Sequence, residues 1–256
     1  MNICILSGRF PATVFKTPIN HRIYADAHNY TYIHCNWPTT LSNNYLNKIA
    51  YVLQYIDNYD YIIWIDDDAF FMNMEKDIMD YAPKNDSFIS ICKSPEFKEL
   101  KTYFSSGQFI VKCNSLSKQF FNEVLNTEFS VVKEWWKEDL GYYTNGDQDV
   151  MIYLLLEKED YKGKVDLFDY KFFNSRYENL FEHDIHDPLI LHFTGRGPVK
   201  KQLYLQVQDK LNLHASLVPN AYLEKYGIAT EETCNAASKT QNKSFFNRLR
   251  KLLKNA

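Results

Sequence analysis

The pattern of apolar and polar positions divides the chain into alternating strands and helices. Ile3-Cys4-Ile5-Leu6 is a short apolar run that stops at Ser7-Gly8, which predicts a first strand and a turn. Tyr30 to His34 alternates and is rich in strand formers. Leu46, Ile49, Ala50, Leu53 and Ile56 then recur at helical spacing, predicting a helix that ends near Asn58. Tyr61-Ile62-Ile63-Trp64-Ile65 follows as a continuous apolar run, the pattern of a strand buried on both faces of a parallel sheet. Phe88–Ile91, Gln108–Val111 and Leu189–Phe193 read as further strands, and Val150–Leu156 as a buried helical stretch. This alternation predicts the α/β class.

Composition narrows the class. The chain has 256 residues, 45% of them apolar and 16% aromatic, enough for a substantial core and too many for a disordered chain. Eight glycines and eight prolines exclude collagen-like and linker-like sequences. The net charge of −3 gives no reason to bind nucleic acid. No apolar run reaches the ~18 residues of a membrane span, and the start of the chain does not read as a signal peptide. Five widely spaced cysteines without a CxxC pair indicate neither a zinc ribbon nor a disulfide framework, so a cytoplasmic location is expected.

The chemistry concentrates at Asp66-Asp67-Asp68, directly after the Tyr61–Ile65 run. Three adjacent carboxylates repel one another, which costs several kcal/mol in a partly desolvated site unless positive charge is present. Oxygen ligands suit Mg²⁺ or Mn²⁺, and ligands of open α/β sheets bind beyond the carboxyl ends of strands. Side chains alternate along extended backbone, so Asp66 and Asp68 can share one side while Asp67 faces the other. A solvated acidic turn is the competing reading.

Several stretches in order resemble known transferases. Arg22-Ile23-Tyr24-Ala25 with His28 and Tyr30, the Tyr45–Ile49 helix with Lys48, and Trp64-Ile65-Asp66-Asp67-Asp68-Ala69 resemble the galactosyl/mannosyl/xylosyl transferases of glycosyltransferase family 34. Tyr103-Phe104-Ser105-Ser106-Gly107, Asp147-Gln148-Asp149 and His192-Phe193-Thr194-Gly195 are similar to the Y-F-N-A-G, D-Q-D and H-Y/F-x-G motifs of the retaining family 8 galactosyl- and glucosyltransferases. The resemblance implies a GT-A-type, Rossmann-like mixed sheet flanked by helices. It also implies a nucleotide-sugar donor, with UDP-galactose or UDP-glucose expected, a Mn²⁺ or Mg²⁺ ion, and retention of anomeric configuration. Carried over to this chain, Asp66, Asp68 and His192 become the metal ligands, Asp147 a binder of donor-sugar hydroxyls and Gln148 the residue beside the anomeric carbon. A glutamine is a poor nucleophile, which favours a positioning role for Gln148.

Other candidates for donor contact are Ser7, Gly8 and Arg9 after the first strand, Arg22 and Lys48 near the diphosphate, Asp67 within the triplet, and Ser105 and Ser106. Ser105 and Ser106 replace Asn-Ala of the related motif, leaving the sugar open. Gly195 permits close backbone approach to a phosphate, with Arg196 or Lys200 as the accompanying cation. The related lysine lies six residues after the histidine, where this chain has Pro198, which counts against Lys200. Asp147 at a helix start is equally an ordinary cap. Tyr24 reads as core or as a base-stacking ring. Trp135-Trp136 and Tyr142-Tyr143 read as an acceptor wall or as plain packing.

Organisation changes near the end. Residues 1–228 read as the catalytic domain, 229–242 as a polar linker, and 243–256 as a C-terminal amphipathic helix. Lys243, Arg248, Arg250, Lys251 and Lys254 accompany Phe245, Phe246, Leu249, Leu252 and Leu253, with no acid. This is the pattern of an interfacial anchor on anionic lipid, on the inner face of a membrane, or of a helix packed on its own domain. The expected partners are a nucleotide sugar and a glycan or lipid-linked acceptor in surface polysaccharide or lipooligosaccharide synthesis. A metal-dependent nucleotidyl or phosphoryl transferase and a non-catalytic glycan-binding module are the alternatives; no G-K-[ST] phosphate loop supports the first.

Overall fold

A computed structural model describes residues 1–11, 15–98 and 101–228. The strands are β1 (Ile3–Ser7), β2 (Thr31–His34), β3 (Tyr61–Ile65), β4 (Ala69–Phe71), β5 (Ile89–Lys93), β6 (Phe104–Lys112), β7 (Val165–Phe168) and β8 (Ile190–His192). The helices are α1 (Thr17–Ala27), α2 (Asn47–Tyr55), α3 (Ser115–Asn126), α4 (Phe129–Trp135), α5 (Asp147–Glu157), α6 (Glu178–Phe181), α7 (Gly197–Lys210) and α8 (Asn220–Lys225). The linker and tail predicted at 229–242 and 243–256 lie outside the described residues. No helix among the described residues is long and apolar enough to cross a membrane.

Six strands form one mixed sheet in the order β2-β1-β3-β6-β5-β7, as the GT-A expectation required. The β3 run is parallel to β1 but antiparallel to β6, so it does not sit in a purely parallel sheet. Its apolar continuity has the same cause either way, since both faces are covered. Cys4, Leu6, Ile62 and Trp64 face one core with residues of α2, α3 and α5, among them Ile49, Phe120 and Val150. Ile3, Ile5, Ile63 and Ile65 face a second core with Ile23 and Tyr24 of α1 and Leu223 of α8. The four residues Ile62–Ile65 are all buried, at roughly 1.5–3 kcal/mol each. That sum outweighs the several kcal/mol of carboxylate crowding at the strand's end.

The apolar run Leu189–Phe193 contains β8, but nothing in the sequence marked β4 or the short ribbon that the two strands form. Here Ala69 pairs with His192, Phe70 with Leu191 and Phe71 with Ile190. Phe70, Leu191 and Phe193 point into a third core beneath α7, against Tyr204 and Val207. β6 is longer than the apolar run Gln108–Val111 suggests, because Phe104-Ser105-Ser106-Gly107 belongs to the same strand.

Candidate active site

The three aspartates leave the end of β3 and enter β4. Asp66 extends the ladder, its N–H donating to Gly107 O at 2.8 Å. Ala69 then donates to Asp66 O at 3.1 Å, a tight turn that swings Asp68 toward β8. The β4–β8 register places His192 opposite Ala69, and Phe193 donates to Asp68 O at 3.0 Å. The result is a cluster in which Asp66, Asp68 and His192 each offer a ligand atom, all within 4.8 Å of one another.

This donor set suits a hard divalent cation: two carboxylates supply charge and an imidazole the third position. Asp68 and His192 are buried while Asp66 is partly open. His192 Nε2 lies 3.1 Å from Asp68 Oδ1. Burial pushes the His192 pKa down, against the pull of Asp68, favouring the neutral imidazole that a ligand needs. Burial pushes the Asp68 carboxyl up, but His192 and Lys200 outweigh it and hold the group well below the usual carboxylate range. Lys200 forms an ion pair with Asp68 Oδ2, bringing a positive charge into the carboxylate cluster. Gly107 makes room for the cluster, since a Cβ there would meet His192 Cε1 at 2.5 Å and Asp66 Oδ2 at 3.3 Å.

Lys48 of α2 bridges the two ends of the site. Its Nζ lies 3.2 Å from Asp66 Oδ1 and 3.4 Å from Asp147 Oδ2, and it donates to Ser106 O and Oγ at 3.2 and 3.3 Å. Burial works against the charge on Lys48, but Asp147 and Asp66 outweigh it, holding the ammonium above its ordinary range. Burial raises the Asp147 pKa, with Lys48 and Ser106 acting in the opposite direction. Trp64 Nε1 donates to Asp66 Oδ1 at 2.7 Å and fixes that carboxylate from the strand side.

The D-Q-D stretch divides by role. Asp149, in the first turn of α5, reaches back to the N-cap Gly146: its Oδ2 accepts from Thr144 N, Thr144 Oγ1 and Gly146 N at 2.8, 3.0 and 3.3 Å. Asp147 instead faces Lys48, and Gln148 Oε1 accepts from Ser106 N at 3.0 Å. Serine backbone of β6 thus ties α5 to the strand that carries Gly107.

A cavity of about 830 Å³ opens over this cluster. Gly8, Arg9, Lys48, Asp66, Asp67, Asp68, Gly195 and Lys200 of the sequence candidates line it. Asp67 is buried and its pKa is pushed up to about 7, by burial first and then by Asp68 and Asp66; Arg9 and Lys200 oppose the shift. All three aspartates therefore line one cavity, although Asp67 is not in the three-residue cluster. Gly8 has φ +145°, and a Cβ there would meet Cys35 O at 2.1 Å, so only glycine fits where β1 reaches the cavity. Lys200 reaches Asp68 despite the proline at 198, because α7 begins at Gly197 and carries the lysine back over β4.

Other candidates are placed elsewhere. Arg22 is exposed on α1, with its Nε 2.9 Å from Asp26 Oδ1, and does not line the cavity. Ser7 is buried within β1, Arg196 precedes α7 as its cap residue, and Ser105 accepts a long contact from Gly107 N at 3.5 Å. Tyr24 is core: it stacks on Phe71 at 3.5 Å and donates to Lys76 O at 2.8 Å. Trp135, Trp136 and Tyr143 pack against the first core, whereas Tyr142 is exposed.

The sequence reading missed Asn44, Tyr45, Asn47, Tyr51 and Lys201, which line the cavity, and Asn174 and Arg176, which lie behind His192. The polar character of Asn43-Asn44 ahead of the helix was a usable signal. Asn174 and Arg176 carried none, because only pairing beside β8, with His192 N donating to Ser175 O at 2.9 Å, brings them there.

Known proteins are similar to this chain. A family model described as nucleotide-diphospho-sugar transferase matches residues 34–204. No curated protein matches the chain. A solved structure of a glycosyltransferase involved in the glycosylation of the major capsid of PBCV-1 aligns with a TM-score of 0.61 at 16% identity, over 79% of this chain and 99% of that one. At that identity the two share a fold. The glycosyltransferase GlyE of Streptococcus pneumoniae TIGR4 aligns with a TM-score of 0.49 at 14% identity, over 88% of this chain and 62% of that one.

Proposed function

We propose, from the premise that the chain belongs to the nucleotide-diphospho-sugar transferase family and is a glycosyltransferase, that it moves a hexose from UDP-galactose or UDP-glucose to a glycan acceptor in a divalent-cation-dependent, retaining reaction. The acceptor belongs to surface polysaccharide or lipooligosaccharide synthesis. The observation that carries the cation-dependent reading is the convergence of Asp66, Asp68 and His192, with the two aspartates lining a cavity that Lys48 and Lys200 also line.

Mn²⁺ or Mg²⁺, held by Asp66, Asp68 and His192, would neutralise charge on the departing diphosphate as a Lewis acid. The chain's own residues do the rest. Lys200 and Lys201 bring further positive charge to the cavity, beside the glycine-bearing turn at Gly195. Asp147, kept close to Lys48, serves as a fixed hydrogen-bond acceptor for donor-sugar hydroxyls. Gln148, held through Ser106 N, positions its amide beside the anomeric carbon and stabilises developing charge there. The nucleotidyl-transfer and glycan-module alternatives give way to the family match.

Calorimetry of UDP binding tests the reading. Wild-type protein is expected to bind UDP at least tenfold more tightly with Mn²⁺ than without it, and Asp68→Ala to lose that difference. A donor screen with anomeric NMR of the product then checks sugar and stereochemistry. Equal UDP affinity with and without Mn²⁺ overturns the cation-dependent reading.

A further inference from the structure

Behind the cation site lies a buried polar chain. His192 Nδ1 is 3.0 Å from Asn174 Oδ1. Arg176 Nη1 donates to the same side-chain oxygen at 2.5 Å, and also to the Asn174 carbonyl. Asn174, Arg176 and His192 are all buried.

The chemistry of these groups fixes the proton. A guanidinium only donates, and an amide presents an accepting oxygen on one side and a donating NH₂ on the other. Turning the Asn174 amide round would set its NH₂ against Arg176, donor against donor. Arg176 therefore holds the oxygen in place, and that oxygen accepts from His192 Nδ1. A neutral imidazole carries one N–H, and the bond made by one nitrogen decides the state of the other. Nε2 is left with a lone pair, 3.1 Å from Asp68 Oδ1, a second acceptor. Asp68 Oδ1 has no hydrogen-bond partner among the described residues. Two buried acceptors at that distance need a positive species between them, a metal cation or a second proton on the ring.

We propose that Arg176, acting through Asn174, is a positioning residue that locks His192 in the Nδ1–H tautomer and presents Nε2 to the divalent cation. The inference rests on the reading of Asp66, Asp68 and His192 as a cation site. It adds residues outside the ligand set, which act on the cation only through the imidazole.

Histidine ¹⁵N NMR on the full-length, metal-free protein near neutral pH reads the tautomer directly. Wild type is expected to show His192 with Nδ1 protonated and Nε2 bare. Asn174→Leu removes the acceptor and is expected to redistribute the proton between the nitrogens. Its Mn²⁺ affinity, followed by the EPR signal of free Mn²⁺, should fall about 10–100-fold. Asn174→Asp keeps an acceptor and is expected to retain both the tautomer and near-wild-type affinity. Arg176→Met, which leaves the amide free to turn, should mix the tautomers, whereas Arg176→Lys should not. If the buried variants fail to fold, the wild-type spectrum still decides. An Nε2–H form or an imidazolium in wild type overturns the proposal, as does an unchanged tautomer in folded Asn174→Leu or Arg176→Met. Absence of Mn²⁺ binding beside an intact Nδ1–H tautomer would instead remove the cation reading itself.

Discussion

Ala69 and His192 sit directly opposite each other in the β4–β8 ribbon, 123 positions apart in the chain. This single register brings the imidazole to the carboxylates of Asp66 and Asp68. It also sets the ring against Gly107, where an added Cβ would meet it.

Gly107→Ala should therefore act on His192. The added Cβ would meet His192 Cε1 at 2.5 Å and Asp66 Oδ2 at 3.3 Å, with β6 backbone behind it. The expected outcome is a folded protein with little change in its far-UV spectrum and at least a tenfold loss of Mn²⁺ affinity. Titration of Mn²⁺ by EPR checks it.

Lys48 pairs with two carboxylates at once. Removing one member of a buried ion pair leaves uncompensated charge, at about 3–5 kcal/mol. Lys48→Ala should lower stability by about that amount in urea unfolding and reduce transfer turnover. Lys48→Arg should recover most of the stability, because it keeps the charge.

His21 is buried, and its pKa is lowered to about 3 by burial, against a backbone bond from Nε2 to Ala69 O at 2.8 Å. The folded value lies below the ordinary one near 6.5. The neutral ring's contribution is thus fully present above pH 6.5 and is lost progressively as pH falls toward 3. The urea midpoint should drop on acidification across that window. His21→Gln, which keeps a donor for Ala69 O, should show a shallower drop.

The basic, amphipathic sequence of residues 243–256 is proposed to hold the enzyme on anionic membrane. Deleting it should shift the protein from the membrane pellet to the supernatant while donor hydrolysis continues. Sedimentation with vesicles containing anionic lipid checks this, and unchanged pelleting counts against the anchor.

Much of the fold was legible because burial writes itself into periodicity. Ile3–Leu6, Tyr61–Ile65 and the helical spacing of Leu46 to Ile56 each mark an element whose apolar side chains fill a core. The boundaries moved where polar residues continue a strand, as Ser105 and Ser106 do in β6. β4 was harder: its three residues carry too short a pattern, and its pairing with β8, which the run Leu189–Phe193 did mark, is decided by a long return of the chain.

The sequence by itself determined that three carboxylates crowd the end of a buried strand, since adjacency in the chain forces adjacency in space. It also marked His192 and Asp147, through resemblance to motifs. Only the tertiary structure decided that Arg22 pairs with Asp26 outside the cavity, that Lys200 reaches Asp68, and that Asn174 and Arg176 stand behind the imidazole. The physical reason is one of range. Periodicity and charge repulsion act between near neighbours and are written locally, whereas a hydrogen bond acts over about 3 Å, and which distant residues come that close is fixed by strand register and helix packing.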